Sequence, residues 1–267
     1  MEFLNHYLAQ FAIVVTTGIC AGFLNTVAGG GSLLTLPVLI FLGLDGATVA
    51  NGTNRVAIMI QNTVGIAGFR RKGISDFRYG IFIAIPAMIG AVMGALLAIN
   101  LGKFDKSGVI FNRLLAVIMI GVLTITLSNP FKKFQSDVEN LGILRKTSAA
   151  LLFFFLGIYM GFIQAGVGFM IIATLTIVNG FNLVRTNALK MFVVLFCTFV
   201  ALIIFVTNDH VNWGMGIALG GGNAVGAWVG SHWAVEKGDK WIRIILVVTV
   251  SAFAIKLIWT SLTQSIA

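Results

Sequence analysis

Residues 22–44, GFLNTVAGGGSLLTLPVLIFLGL, decide how this chain is built. An apolar run stops at three consecutive glycines, Gly29, Gly30 and Gly31, and resumes at Ser32. Each glycine inside a helix costs about 1 kcal/mol relative to alanine, so the stretch predicts a long helix, a break and a short helix. The restarted run ends near Gly43, well short of the roughly 20 residues that cross a hydrocarbon core. A second stretch, GFIQAGVGFM at 161–170, has the same form. Gly161-Phe162-Ile163-Gln164 matches Gly22-Phe23-Leu24-Asn25, and Gly166-Val167-Gly168 stands where the triple glycine stood.

Working outward, the 267 residues are 58% hydrophobic and 10% charged, with a mean hydropathy of +0.98. That leaves too little polar surface for a water-soluble globule. Long apolar runs recur between short polar interruptions, so the chain reads as an all-α, multi-pass integral membrane protein solvated by lipid. Helices are expected near 8–28, 32–43, 47–69, 79–100 and 111–128, then near 148–165, 169–180, 183–206, 213–234 and 241–262. These form two groups of about five segments, giving eight to ten crossings, each group with a short member at its Gly-rich break. The expected organisation is a first transmembrane repeat over 1–128, a polar cytoplasmic linker over 129–147 and a second repeat over 148–267. The first apolar run lacks a basic leader and a cleavage site, so it reads as a retained membrane segment.

Further residue matches support a duplication. Gly90 and Gly94 pair with Gly226 and Gly230, Ala50-Asn51 with Thr186-Asn187, and Arg113 with Arg243. Corresponding loops differ in charge: Arg70, Arg71, Lys72 and Arg78 follow the third segment, whereas Asn208, Asp209 and His210 occupy the equivalent place later. The positive-inside rule makes the first loop cytoplasmic and the second external. An odd number of segments per repeat produces that inversion, and it predicts a cytoplasmic-membrane protein.

The net charge of +9 is spread over such loops, with no basic folded module, so it reads as topology and not as nucleic-acid binding. Cys20 and Cys197 sit in apolar runs without CxxC spacing, and the three histidines are scattered. Neither a metal site nor a cofactor site is indicated, and no catalytic motif appears. All nine acidic residues fall in termini or loops on this reading, which argues against a buried carboxylate relay and against a metal-cation carrier.

Transporters built as inverted repeats bind substrate where discontinuous helices end near the midplane. Asn25, Gly29, Gly30, Gly31 and Ser32 in one half, and Gln164, Gly166 and Gly168 in the other, are therefore candidate substrate-binding positions. Helix N-termini there offer backbone N–H groups to an anion. The other reading of the glycines, close helix crossing, stays open. Asn51, Thr53, Asn54 and Arg55 follow the first short helix, and Asn187 and Lys190 follow the second. A cation inside the bilayer marks function by default, with snorkelling from a helix end as the alternative. Positive charge without buried acid favours a small anionic substrate. A scaffold or assembly factor without transport remains a separate reading, as does a carrier for a small carboxylate; a homodimer is compatible with either.

GFLNTVAGGGSLLTLPVLIFLGL, then ANGTNRVA at 50–57 and a basic loop with Gly73, resembles the sulfite exporter TauE/SafE family of membrane proteins. GFIQAGVGFM through TNALKM at 186–191 looks like that family's degenerate second repeat. The resemblance implies an inverted-repeat permease for sulfite, for organosulfonates such as sulfoacetate, or for other small organic acids. It places the candidate residues named above around one site. The second break lacks the serine of the first, so the site is not expected to be fully symmetric.

Overall fold

The computed structural model describes residues 2–42, 44, 47–74, 76–104, 117, 121 and 142–264. All the regular structure among them is helical. Helix α1 (Glu2–Val27) is followed by the short α2 (Ser32–Phe41), then by α3 (Ala47–Arg71) and α4 (Phe77–Phe104). Later in the chain come α5 (Ile143–Phe162), the short α6 (Val167–Asn179), α7 (Leu183–Thr207) and α8 (Trp213–Gln264). The segment expected near 111–128 and linker residues 129–141 lie outside the described residues, apart from helical positions 117 and 121. The last five residues of the expected linker belong to α5.

Each break falls where the glycines predicted it. Gly29 takes φ +94° between α1 and α2, and Gly166 takes φ +69° as the N-cap of α6, a left-handed region that side chains resist. Gly180, at φ +71°, closes α6 in the same way.

Among the described residues, four helices are long and apolar enough to cross a membrane, over Gln10–Val27, Arg78–Phe104, Ile143–Phe162 and Leu183–Thr207. Their outer faces are those of a lipid-solvated protein: Ile81, Ile85 and Ile89 form an exposed i, i+4 stripe on α4, which water would not support at this extent. Helix α3 also has the length to cross, at about 37 Å, but it carries Asn51, Asn54, Arg55, Gln61 and Asn62, all buried. These five polar groups face protein and not lipid.

Helix α8 differs from expectation. Two crossings near 213–234 and 241–262 were expected, and the structure runs 213–264 as one helix of 52 residues. At 1.5 Å per residue it is about 78 Å long. The expected turn fails because Val235–Lys240 contains a single strong helix-disfavouring residue, Gly238, among the helix formers Glu236, Lys237 and Lys240.

The halves interlock by exchange. Helix α1 lies along α8, α4 lies along α5, and α3 and α7 pack between these pairs. Both outer seams are glycine-lined. A Cβ on Gly222 would meet Val15 O at 2.3 Å and one on Gly226 would meet Ile19 O at 2.1 Å. The counterparts on the other seam are Gly90 against Phe154 O at 2.1 Å and Gly94 against Ile158 O at 1.9 Å. By contacts, Gly222 and Gly226 occupy on the α1–α8 seam the places that Gly90 and Gly94 occupy on the α4–α5 seam. The pairing with Gly226 and Gly230 is one helical turn out of register, because a G-xxx-G spacing recurs along α8 and matches itself after a shift of four.

Candidate functional site

The two breaks meet. A Cβ added to Gly29 would lie 2.5 Å from the carbonyl carbon of Gly168, and one on Gly168 would lie 2.4 Å from Gly29 Cα. The backbones touch at a distance only glycine permits, so close approach is one reason for these residues. Ser32, opening α2, bridges to the other break: its Oγ accepts from Gly166 N at 3.2 Å and donates to Gln164 O at 3.4 Å. The N-terminal ends of α2 and α6 are thereby brought together in the interior.

Around them sit two buried cations held in the same manner. Arg55, 1% exposed, reaches the C-terminal end of α5: Nη1 donates to Met160 O at 3.0 Å and Nη2 to Gly161 O at 2.5 Å. Lys190, 2% exposed, reaches the C-terminal end of α1, with Nζ donating to Asn25 O at 2.7 Å and Thr26 O at 3.1 Å. An asparagine accompanies each. Asn51 Nδ2 donates to Phe162 O at 2.7 Å, and Asn187 Nδ2 donates to Val27 O at 3.0 Å. Asn187 Oδ1 also accepts from Lys190 Nζ at 2.6 Å. The carbonyls that α1 and α5 leave unpaired at their ends are thus satisfied by cations from α7 and α3, which also offset the negative ends of the helix dipoles.

No carboxylate pairs with either cation among the described residues. Arg55 instead stacks over Phe205, 4.6 Å from the ring centroid, and its Nε has no hydrogen-bond partner. The α3 helix ends and α7 begins at the same basic end of the molecule, where Asp76 pairs with Arg185. Arg55 lies eight residues from the start of α3 and Lys190 seven from the start of α7, so each is about 10–12 Å in from an opposite end.

A small cavity lies between the breaks and Lys190. Its lining includes Asn25, Ser32, Gln164, Gly168 and Lys190, all predicted, together with Asn62. Its volume is about 10 Å³, close to what one water needs. Gln164 connects the cavity to Arg55: Oε1 accepts from Nη1 at 3.2 Å, while Nε2 donates to Thr198 Oγ1 at 2.6 Å. Gln164 takes φ +66°, a conformation that costs a non-glycine residue about 1–2 kcal/mol, at the point where α5 ends.

The remaining predicted residues stand further off. Gly30 abuts the Phe169 ring and Gly31 abuts Ala21 O. Asn54 Oδ1 accepts from Thr35 Oγ1 at 2.7 Å, tying α3 to α2. Thr53 faces away, its Oγ1 accepting from Asn212 N at 2.9 Å before α8. Thr198 and Phe205 are contributors that the sequence did not single out, since one threonine or phenylalanine in an apolar helix is indistinguishable from packing. Asn62 carries a readable signal, one turn beyond Ile58 on the polar helix. No group of three or more potential metal-ligating His, Cys, Asp or Glu side chains occurs among the described residues.

Apolar outer faces, broken helices meeting inside and buried cations define a multi-pass membrane transporter, and comparison with known proteins agrees. The sequence profile of the sulfite exporter TauE/SafE family matches residues 14–257, and the chain belongs to that family. Relatives include probable membrane transporter protein ORF9 of Sinorhizobium sp., 28% identical over 97% of this chain and 95% of its own length. Similar too are a probable membrane transporter protein of Haemophilus influenzae, 27% identical over 93% of this chain and 94% of its own, and YfcA of Escherichia coli K12, 28% identical over 92% and 88%. No solved structure matches the chain.

Proposed function

We propose that this protein is a secondary transporter of a small anion, sulfite or an organosulfonate such as sulfoacetate, working in the cytoplasmic membrane by alternating access between two inverted repeats. One observation carries the reading: Arg55 and Lys190 are both buried without a carboxylate partner among the described residues. Helix ends carry about half an elementary charge each. The C-termini bound by the cations offset about one of their two charges, and the N-termini of α2 and α6 restore about as much. With both side chains protonated, the interior therefore keeps at most about two positive charges. A dianion or a monoanion at the cavity relieves that excess; a cation would add to it.

The exchange of side chains between halves supports the inverted-repeat reading. A cation and an asparagine from α3 close the end of α5, and a cation and an asparagine from α7 close the end of α1. The cavity is too small for an oxyanion of four or more heavy atoms, so admission requires the breaks to part. Moving one half relative to the other does that, because the cavity lies between them. The sulfur preference rests on the family's description.

Calorimetric titration of the purified protein in nanodiscs with sulfite, sulfoacetate and acetate tests the reading. Saturable binding of a sulfur anion, weakened by about ten- to a hundred-fold in Arg55→Gln through loss of a charge-assisted contact, is the expected result. Equal binding by wild type and Arg55→Gln would remove Arg55 from the site, and tighter binding of acetate would transfer the assignment to a carboxylate carrier.

A further inference from the structure

A second cavity, of about 340 Å³, opens at the basic end between the residues joining α3 to α4 and the start of α7. Its wall carries Gly73, Asp76, Asn182, Arg185 and Ala188. The size is within the range of small-molecule sites. Below it a narrow chamber of about 20 Å³, which shares Ile74, Asp76 and Ala188, continues inward past Ile66 and Phe192. The cavity at Lys190, lined by Ile58 and Asn62, lies farther along α3 and shares no lining residue with this chamber. Ile58, Asn62, Ile66 and Arg70 form one i, i+4 stripe on α3, so a single helix face lines all the levels beneath the mouth.

Asp76 and Arg185 stand in this mouth, each about a quarter exposed. Arg185 Nε donates to Asp76 Oδ2 at 2.9 Å, Nη2 donates to the same oxygen, and the guanidinium lies 3.8 Å from the Phe181 ring centroid. Asp76 Oδ1 is also positioned at the start of its own helix, accepting from Tyr79 N at 3.4 Å. A planar guanidinium on a carboxylate is the contact that a sulfonate or sulfite would make. Arg70, in the wall of the chamber beneath, and Arg78, two residues from Asp76, favour an anion arriving from this side.

We propose that this vestibule is an anion-loading site in which the substrate takes the place of Asp76 on Arg185, and that the exchange releases the start of α4 from the start of α7 and opens the way towards Lys190. This rests on the anion-transport reading above. Asp76 is an internal stand-in for the substrate. The ion pair holds the mouth closed when no anion is present, and only an anion able to match a carboxylate on a guanidinium releases it. Lys72 and Glu236, paired at 2.9 Å and more exposed, lie outside the mouth and have no part in the exchange.

Accessibility of a cysteine below the mouth tests this. Ile66→Cys is introduced with Cys20 and Cys197 replaced by alanine, and labelling by a membrane-impermeant thiol reagent applied to the basic face is timed. Adding Asp76→Asn, which keeps an N-capping side chain but removes the charge, should raise the labelling rate about five-fold, the factor corresponding to a partly exposed ion pair. Arg185→Gln should do the same, and the swap Asp76→Arg with Arg185→Asp should restore protection. Sulfoacetate should accelerate labelling when Asp76 and Arg185 are intact and leave Arg185→Gln unchanged, with Lys72→Gln behaving as its parent. Unchanged labelling in Asp76→Asn overturns the proposal, as does an equal rise in Lys72→Gln or the absence of any acceleration by sulfoacetate. Flux of radiolabelled sulfite and sulfoacetate through the same vesicles separates the two levels: flux with no change in labelling defeats the loading site alone, whereas absence of flux of both anions defeats the transport reading.

Discussion

At Gln164 a side chain is held at φ +66° although glycine would adopt that conformation without strain. The amide explains it, since it accepts from Arg55 and donates to Thr198. Gln164→Gly should relieve that strain while losing two buried hydrogen bonds, so the melting temperature of the purified protein should change little while anion flux falls by at least ten-fold; a lower melting temperature with normal flux would contradict the assignment. Lys190 is held by two backbone carbonyls and Asn187, so its removal leaves buried acceptors unpaired at about 1–3 kcal/mol. Lys190→Met should show both a lower melting temperature and lost binding. Arg55 and Lys190 were legible in the sequence because cations are rare inside apolar helices. Their partners were not, because backbone carbonyls at the end of a distant helix leave no mark in composition. Neither was the Asp76–Arg185 pair, which joins residues 109 positions apart that each read as ordinary loop or helix-end charge.

The short helices α2 and α6 exist because glycines interrupt apolar runs, and that much could be read directly. The sequence left open whether the glycines serve anion binding or close crossing, and the contact of Gly29 with Gly168 establishes the crossing. Gly168→Ala would set a Cβ 2.4 Å from Gly29 Cα, so the breaks must separate. A loss of about 1–3 kcal/mol in stability is expected from such overpacking, measured by chemical unfolding in detergent. Gly161, whose Cβ would meet Ala91 O at 2.0 Å, should respond similarly on the α4–α5 seam. Full stability of both variants would show that the helices are not packed as described. Helix α8 marks the limit of reading by hydropathy: a short charged interval resembles a loop, yet charged residues also form helix, and only local propensity separates the two.

For the whole molecule, the halves are joined by exchange, each closing the other's helix ends and each contributing one break to a common interior. Pairwise residue matches predicted a duplication, and along α8 the glycine contacts differ from the predicted pairing by one turn because the G-xxx-G spacing repeats there. The structure describes a conformation with a one-water cavity beneath a larger mouth, which the transport account reads as closed around the site. The most direct test is uptake of radiolabelled sulfite and sulfoacetate by proteoliposomes, with acetate as a control, comparing wild type with Arg55→Ala under an imposed gradient. The account predicts saturable flux of at least one sulfur anion by wild type, and flux at the level of protein-free liposomes in an Arg55→Ala protein that remains monodisperse. Flux unaffected by Arg55→Ala, or no flux of any tested anion by wild type, would contradict it.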